Sequence, residues 1–169
     1  MHQRKLKPLV IDSSTWIALE RTNLLEKFLS LKKEKLMTEA VRTEIRSEKI
    51  AYLDNILKGK IRGRAIKKLG SLLNKGFGKG EAESLVLAYQ LKTELIISDD
   101  RKIIQRKYLM DKELQKITVS GFSFLLDLMA KEKIINDVWF YFDEITKKNN
   151  WKDGEVRFAN MAYLRDSGY

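Results

Sequence analysis

Short apolar stretches alternate with helical patterns along the chain. The stretches at residues 9–12, 35–37, 95–98 and 115–119 predict buried strands. Between them, apolar residues recur three or four positions apart, which is the spacing of a helix with one buried face. Strands that alternate with helices indicate βαβ units. The pattern therefore predicts an α/β fold built on a parallel sheet.

The helical patterns share capping residues at their starts and apolar residues at helical spacing. They cover residues 14–20, 23–31, 38–48, 52–57, 65–73, 81–91, 101–108, 121–129 and 136–148. We therefore expect one domain over residues 1–149. Residues 150–169 are aromatic but weakly periodic, and they form either a short helix near 156–164 or an arm that a partner orders.

The composition limits the chemistry that the chain can perform. Its 169 residues suit one domain, and 44% of them are hydrophobic, enough for a packed core. The chain has no cysteine, and its one histidine is His2. This excludes disulfides and cysteine-based zinc sites and disfavours a catalytic histidine. Any metal must be held by oxygen atoms, which favours Mg²⁺ or Mn²⁺.

The charge points to a polyanionic partner. The net charge is +10 and the pI is about 9.7, which favours nucleic acid over an acidic membrane surface or a merely solvated lysine-rich exterior. Neither a transmembrane run nor a signal peptide is expected, and a cytoplasmic location fits the absence of cysteine. The candidate RNA-binding residues are the basic turn and the lysines before residue 81, namely Lys60, Arg62, Arg64, Lys75 and Lys79.

Acidic residues follow two of the predicted strands. Asp12 follows the first strand, and Asp99 and Asp100 follow the strand at 95–98. Ligands of open α/β sheets bind outside the carboxyl ends of the strands. Each aspartate can also simply cap the next helix, but two adjacent aspartates are one more than a cap needs. We therefore expect a metal-binding acidic cluster between the two strand ends.

Two helices contribute further candidates. At 100° per residue, Glu44 projects into the apolar arc of its helix, while Arg42 points elsewhere. In the helix over 81–91, the same projection places Glu81 inward and Glu83 outward. The alternatives are a rim glutamate paired with lysine for Glu44 and a first-turn acid that complements the helix dipole for Glu81.

Clustered carboxylates require a cation. Two carboxylates ~4 Å apart repel each other by about 4 kcal/mol at an effective dielectric near 20. A divalent ion removes this repulsion, and it can align water for attack on phosphorus. The residues therefore fit metal-assisted hydrolysis of a phosphodiester, which needs neither histidine nor cysteine.

The acids lie in stretches that together resemble the PIN domain family of metal-dependent ribonucleases. The stretches are Val10-Ile11-Asp12-Ser13-Ser14, Val41-Arg42-Thr43-Glu44-Ile45, Gly80-Glu81-Ala82-Glu83 and Ile97-Ser98-Asp99-Asp100. Ile117 to Leu126, with Ala130-Lys131, looks like the last strand and helix of a subgroup that carries a G-E-x-E motif and adjacent aspartates. The resemblance spans roughly residues 8–148.

The resemblance implies a three-layer α/β/α sandwich with a central, mostly parallel sheet. It also implies cleavage of single-stranded RNA with Mg²⁺ or Mn²⁺. The matching catalytic and metal-binding acids are Asp12, Glu44, Glu81 and a fourth that is Asp100 or Asp99. Asp100 is preferred because Ser98 matches the hydroxyl residue two places before that acid, and Asp99 is then a further metal ligand. Ser13 or Ser14 matches a hydroxyl residue that assists the site.

The resemblance further suggests partners. Many members are toxins of toxin–antitoxin pairs and others mature ribosomal RNA, so RNA, an antitoxin protein and a second copy of this chain are the candidate partners. The length of the chain and its aromatic end depart from the compact toxins.

Three other readings compete with the nuclease. A phosphoacceptor signalling domain should have the acidic pair after the first strand and a lysine ending a later one, unlike this chain. A haloacid-dehalogenase-type phosphatase requires a second aspartate two positions after the first, but that position is Ser14 in this chain. The third is a PIN-like fold that has become a non-catalytic RNA-binding or partner-binding module, against which the four retained acid positions argue.

Overall fold

The computed structural model describes residues 7–46, 56–93, 95–151 and 154–169. Their centre is a five-stranded sheet in which all paired strands are parallel. The strands are β1 (Leu9–Ile11), β2 (Lys35–Met37), β3 (Leu57–Lys58), β4 (Leu95–Ile97) and β5 (Thr118–Ser120). Their order across the sheet is β3-β2-β1-β4-β5.

Nine helices surround this sheet in the described part of the chain. They are α1 (Ser13–Arg21), α2 (Leu25–Leu29), α3 (Glu39–Arg46), α4 (Ala65–Asn74), α5 (Lys79–Leu91), α6 (Arg101–Gln105), α7 (Phe122–Lys131), α8 (Val138–Lys148) and α9 (Glu155–Asp166). Two short 3₁₀ turns lie between α6 and β5, at Lys107–Leu109 and Leu114–Lys116.

Two hydrophobic cores lie on opposite faces of the sheet. Leu9, Ile11 and Ile97 face a core shared with α1, α7 and α8. Val10 and Ile96 face the other core, which α4 and α5 complete. Alternate residues of a strand point to opposite faces, so a strand covered on both sides must be apolar throughout, as β1 is. The predicted three-layer α/β/α sandwich is confirmed.

The strand order reverses next to the central strand. From β1 the chain proceeds outward through β2 and β3, and then returns to place β4 on the other side of β1. A crevice forms at such a switch point, outside the carboxyl ends of the two strands. Asp12 and Ser98 directly follow β1 and β4, so both lie at the mouth of this crevice.

Several predicted boundaries change. Residues 52–55 and 47–48 lie outside the described residues, while Leu57 belongs to a strand, not to a helix. The predicted strand at 115–119 is wrong in position, because a 3₁₀ turn occupies Leu114–Lys116 and the strand begins at Thr118. These edge strands pair on one side only, so local sequence marks them weakly.

The last helix packs against the rest of the domain. Leu164 of α9 is fully buried in the core that contains α7. The Tyr163 and Tyr169 hydroxyls donate hydrogen bonds to the buried Asp127 carboxylate at 3.2 and 3.1 Å. Helix α9 is therefore tied to α7 by polar as well as apolar contacts. Among the described residues, no helix combines the length and the apolar character that crossing a bilayer requires.

Candidate active site

Asp12 lies at the centre of the crevice and is almost entirely buried. Only 4% of its surface is exposed. The Ser98 hydroxyl donates to Asp12 Oδ2 at 2.9 Å, and the Ser14 hydroxyl donates to the same oxygen at 3.2 Å. Burial raises the pKa of Asp12; the serine hydrogen bonds oppose this shift and the nearby Glu44 charge adds to it. Ser14 thus supplies a hydroxyl beside the acid, whereas Ser13 contributes its backbone N–H, whose hydrogen bond to the carboxylate lowers the pKa of Asp12.

Ser98 links the ends of the two central strands. Its hydroxyl donates to Asp12 and accepts a hydrogen bond from the backbone N–H of Asp100 at 3.1 Å. The backbone N–H of Asp12 donates to the Ile97 carbonyl at 3.0 Å, which extends the pairing of β1 and β4. The same residue therefore orients the first acid and fixes the turn that carries the last one.

Glu81 and Asp100 form a second acidic pair. Glu81 lies in the first turn of α5, where its carboxylate accepts a hydrogen bond from the Gly78 N–H at 3.0 Å. Burial raises the pKa of Glu81, as do a hydrogen bond to the Asp100 carboxyl and the charge of Asp12; the Gly78 N–H opposes the rise. Asp100 also caps α6 by accepting from the Lys102 N–H at 2.8 Å. Asp100 therefore both caps α6 and belongs to the acidic group of the crevice.

Glu44 reaches this region across a glycine. A side-chain carbon added at Gly80 would lie 2.6 Å from one Glu44 carboxylate oxygen, so a larger residue would displace the carboxylate from this position. The predicted inward projection of Glu44 is wrong, because the residue is exposed at the rim while Arg42 is 5% exposed. Helix α3 packs on both α1 and α5, so it lacks the single buried face that the projection assumes.

The prediction that Glu83 faces outward is also wrong. Glu83 is 9% exposed, and its carboxylate accepts a hydrogen bond from the Ala40 N–H at 3.0 Å. Ala40 lies in the first turn of α3, where backbone N–H groups have no partner inside the helix. Helix α5 is buried on nearly all sides, so one polar stripe could not identify its exposed side. Glu83 therefore supports the helix that carries Glu44.

Removing this cap should cost stability. We expect Glu83→Ala to lower the free energy of unfolding by about 1–3 kcal/mol, because the buried Ala40 N–H loses its acceptor. Glu83→Gln keeps one oxygen and should cost less. Urea denaturation measures both, with the exposed Glu34→Ala as the control. Equal stability of Glu83→Ala and the control would show that the cap contributes nothing.

Asp99 is held between the start of α7 and helix α9. It is 9% exposed, and it accepts hydrogen bonds from the Phe122 N–H at 3.1 Å and from Asn160 Nδ2 at 2.9 Å. A side-chain carbon on Gly121 would lie 2.5 Å from Asp99 Oδ1. Burial raises the pKa of Asp99 to about 6, against the effect of the two hydrogen bonds. Asp99 thus joins the site to the start of α7 and to α9.

The predicted acids therefore meet as linked pairs. Asp12 interacts electrostatically with Glu44, Glu81 and Asp99, and Glu81 contacts Asp100. In the described part of the chain, no three acidic side chains stand close enough to form a ready-made metal-binding group. The carboxylates lie around one crevice as interacting pairs.

The predicted RNA-binding cations separate into two groups. Lys79 lines a small cavity with Glu44, and Lys75 lies near the start of α5, donating to the Leu109 carbonyl at 2.7 Å. Arg62 and Arg64 instead lie beside Gln90 and Lys92, at the far end of α5. The exposed Lys60 belongs to this second group, because its carbonyl accepts from Gln90 Nε2 at 2.8 Å.

Sequence reasoning missed three residues of the site. Ser98 and Gly80 stand in the sequence only as parts of the motifs that resemble the family, and no local pattern marks Asn160. Ser98 could have been found as a hydroxyl at a strand end. Asn160 could not, because it comes 61 residues after Asp99 and reaches it only through the packing of α9.

Comparison with known families agrees with this architecture. A family model described as a PIN domain matches residues 8–160. Comparisons with curated proteins and with solved structures gave no match. The matched range includes all five strands, the acids of the crevice and Asn160. The chain belongs to the PIN domain family.

Proposed function

We propose that this protein is a metal-dependent endoribonuclease that cleaves single-stranded RNA. Membership of the PIN domain family indicates a nuclease in general. The observation that carries the finer proposal is that four acids from separate elements lie as interacting pairs around one switch point. Asp12 follows β1, Glu44 lies on α3, Glu81 begins α5 and Asp100 follows β4.

The donor set suits a hard divalent cation. All the candidate ligands are carboxylate or hydroxyl oxygens, and burial raises the pKa values of Asp12 and Glu81. A cation nearby would favour the ionised forms that burial disfavours. The residues that would hold Mg²⁺ or Mn²⁺ are Asp12, Glu44, Glu81 and Asp100. Asp99 would add negative charge next to Asp12. Such an ion supplies Lewis acidity and lowers the pKa of bound water.

The protein's own groups would orient the reaction. Ser14 and Ser98 hold one oxygen of Asp12, which fixes the direction of its carboxylate. The Gly78 N–H does the same for Glu81. Lys79, which lines a small cavity with Glu44, would bind a phosphate of the substrate. A carboxylate with a raised pKa can also accept a proton from attacking water near neutral pH.

A cavity next to the acids could receive one nucleotide of the substrate. Its volume is about 320 Å³, and Asp99, Asp100 and Ser14 line it together with Arg21 and Trp151. An indole ring offers a stacking surface that accepts any base, and a guanidinium binds phosphate. This arrangement supports an RNA strand with unpaired bases as the substrate.

Cleavage assays test the proposal directly. We expect a labelled single-stranded RNA to be cut internally in Mn²⁺ or Mg²⁺ and to remain intact in EDTA. RNA duplex and single-stranded DNA serve as the comparison substrates. Absence of cleavage in both ions, across RNAs of varied sequence, would contradict the nuclease.

Thermal denaturation separates the nuclease from the non-catalytic alternative. A ligand at one hundred times its Kd stabilises the fold by about 2.7 kcal/mol, so Mn²⁺ should raise the Tm of the wild type. Glu81→Gln should reduce this rise, and Glu83→Gln should keep most of it. A rise without cleavage would favour a metal-binding module, and no rise would argue against the metal site. The antitoxin partner, the homodimer and the cytoplasmic location stay predictions.

A further inference from the structure

A second cavity lies at the opposite end of the sheet from the acids. Its volume is about 490 Å³, and it opens between the start of α4, the end of α5 and the turn before β5. Lys92 follows the end of α5, whereas Glu81 lies in its first turn. At 1.5 Å per residue along a helix, the two positions are about 16 Å apart. The cavity is therefore separate from the proposed active site.

Positive charge dominates the lining of this cavity. Arg62, Arg64, Lys92 and Lys116 contribute to it, all of them exposed. No ion pair to any of the four is found in the described ranges. The lining carboxylate, Glu113, is already paired with Lys68 at 2.7 Å. Four like charges around one concave surface favour an anionic ligand, because their mutual repulsion falls when an anion binds.

The cationic segment is held in place by α5. Gln90 Oε1 accepts a hydrogen bond from the Arg62 N–H at 2.7 Å, and Gln90 Nε2 donates to the Lys60 carbonyl at 2.8 Å. The Gln90 amide therefore fixes the backbone of the segment that carries Arg62 and Arg64. A fixed backbone lowers the entropy lost when a ligand binds.

An aromatic ring completes the lining. Tyr89 lies in the wall of the cavity, with the Lys68 ammonium 4.6 Å from the ring centroid. A hydrogen bond joins its side chain to Glu113, and this bond contributes to the lowered pKa of that residue. Two contacts thus hold the ring, which makes it a rigid surface for stacking a base.

We propose that this cavity binds a phosphorylated nucleotide, with the phosphate among the four cations and the base against Tyr89. Its volume lies within the 300–1,000 Å³ or so that is usual for small-molecule sites. The ligand's source is either a free nucleotide or one nucleotide of an RNA strand. This inference does not depend on the nuclease, since no acid of the crevice lines the cavity.

Calorimetric titration with matched probes tests the proposal. Adenosine 5′-monophosphate should bind, whereas adenosine, which lacks the phosphate, and ribose 5-phosphate, which lacks the base, should bind more weakly. A five-nucleotide RNA with 2′-O-methyl riboses tests whether the ligand is one nucleotide of an RNA strand. EDTA in every titration keeps the crevice free of divalent ions. Binding of the mononucleotide identifies a free ligand, and binding of the RNA alone identifies a strand; either result supports the site when substitutions in the lining of this cavity weaken it.

Variants of exposed residues locate the binding. The double variant Arg64→Glu with Lys116→Glu should weaken binding about tenfold or more, because two charge-assisted contacts become repulsive. Lys32→Glu with Arg165→Glu changes the net charge equally at exposed positions elsewhere and should have little effect. Tyr89→Leu should weaken mononucleotide binding about fivefold or more, but leave ribose 5-phosphate binding unchanged.

Three results would overturn the proposal. One is failure of both the mononucleotide and the RNA to bind at millimolar concentration. Another is equal weakening by the two double variants, which would indicate general attraction to a basic protein. The third is equal binding of adenosine and its 5′-monophosphate. Circular dichroism of each variant confirms that it is folded, and the RNA cleavage assay in Mn²⁺ reports on the crevice separately.

Discussion

Replacing Asp12 with asparagine is expected to lower the rate of RNA cleavage by about a thousandfold or more, which corresponds to about 4 kcal/mol of transition-state stabilisation. The carboxylate lies at the centre of the crevice and interacts with three other acids. Asparagine keeps the size and one oxygen but removes the charge. Single-turnover cleavage of a labelled RNA in Mn²⁺ measures the change.

The fold should survive this substitution. Asparagine can still accept a hydrogen bond from Ser98, and burial already disfavours the charged form of Asp12. The free energy of unfolding in EDTA should therefore stay the same or rise. Asp166→Asn, an exposed change on α9, is the matched control. A cleavage rate in Asp12→Asn equal to that of the control would exclude Asp12 from the chemistry.

Stability in EDTA should fall as the pH rises from about 4 to about 6, and Asp99 should contribute a defined part of this fall. Burial raises the pKa of this residue from 3.8 to about 6. A carboxyl group with a raised pKa in the fold keeps its proton more readily there than in the unfolded chain. Its contribution is complete below the unfolded pKa and is lost as the pH passes the folded pKa. Two pKa units correspond to about 3 kcal/mol.

Asp99→Asn should reduce this slope by the share that Asp99 contributes, and Asp12 and Glu81, whose pKa values burial also raises, should keep the remainder. The asparagine oxygen can still accept from the Phe122 N–H and from Asn160, while the group no longer ionises. Urea denaturation at several pH values measures the slope, with Asp137→Asn as the control for an exposed aspartate. A slope of the same size in wild type and Asp99→Asn would place the titrating group elsewhere.

The fold class followed from local pattern. Strands covered on both faces must be apolar, so the runs at β1 and β4 were visible in the sequence. Strand β3 was not visible in the sequence, because Leu57–Lys58 is two residues long and pairs only with β2. A segment that short carries no periodicity, and its conformation depends on the strand beside it.

Helical projection gave the wrong direction for Glu44 and for Glu83. It assumes that a helix has one buried side, but α5 contacts α3, α4 and the sheet. In such a helix a buried carboxylate is stabilised by a specific partner, as Glu83 is by the Ala40 N–H. The sequence cannot show a partner that is 43 residues away.

The sequence by itself determined the class of fold, the family, the oxygen-only set of candidate ligands and the strong positive charge, because these depend on residue types and local spacing. Only the tertiary structure decided which acids touch and which merely support them. It also separated the cations of the crevice from those at the far end of α5, although all lie within residues 60–116. Contacts between distant residues are set by the packing of helices on the sheet, and local pattern does not carry that information.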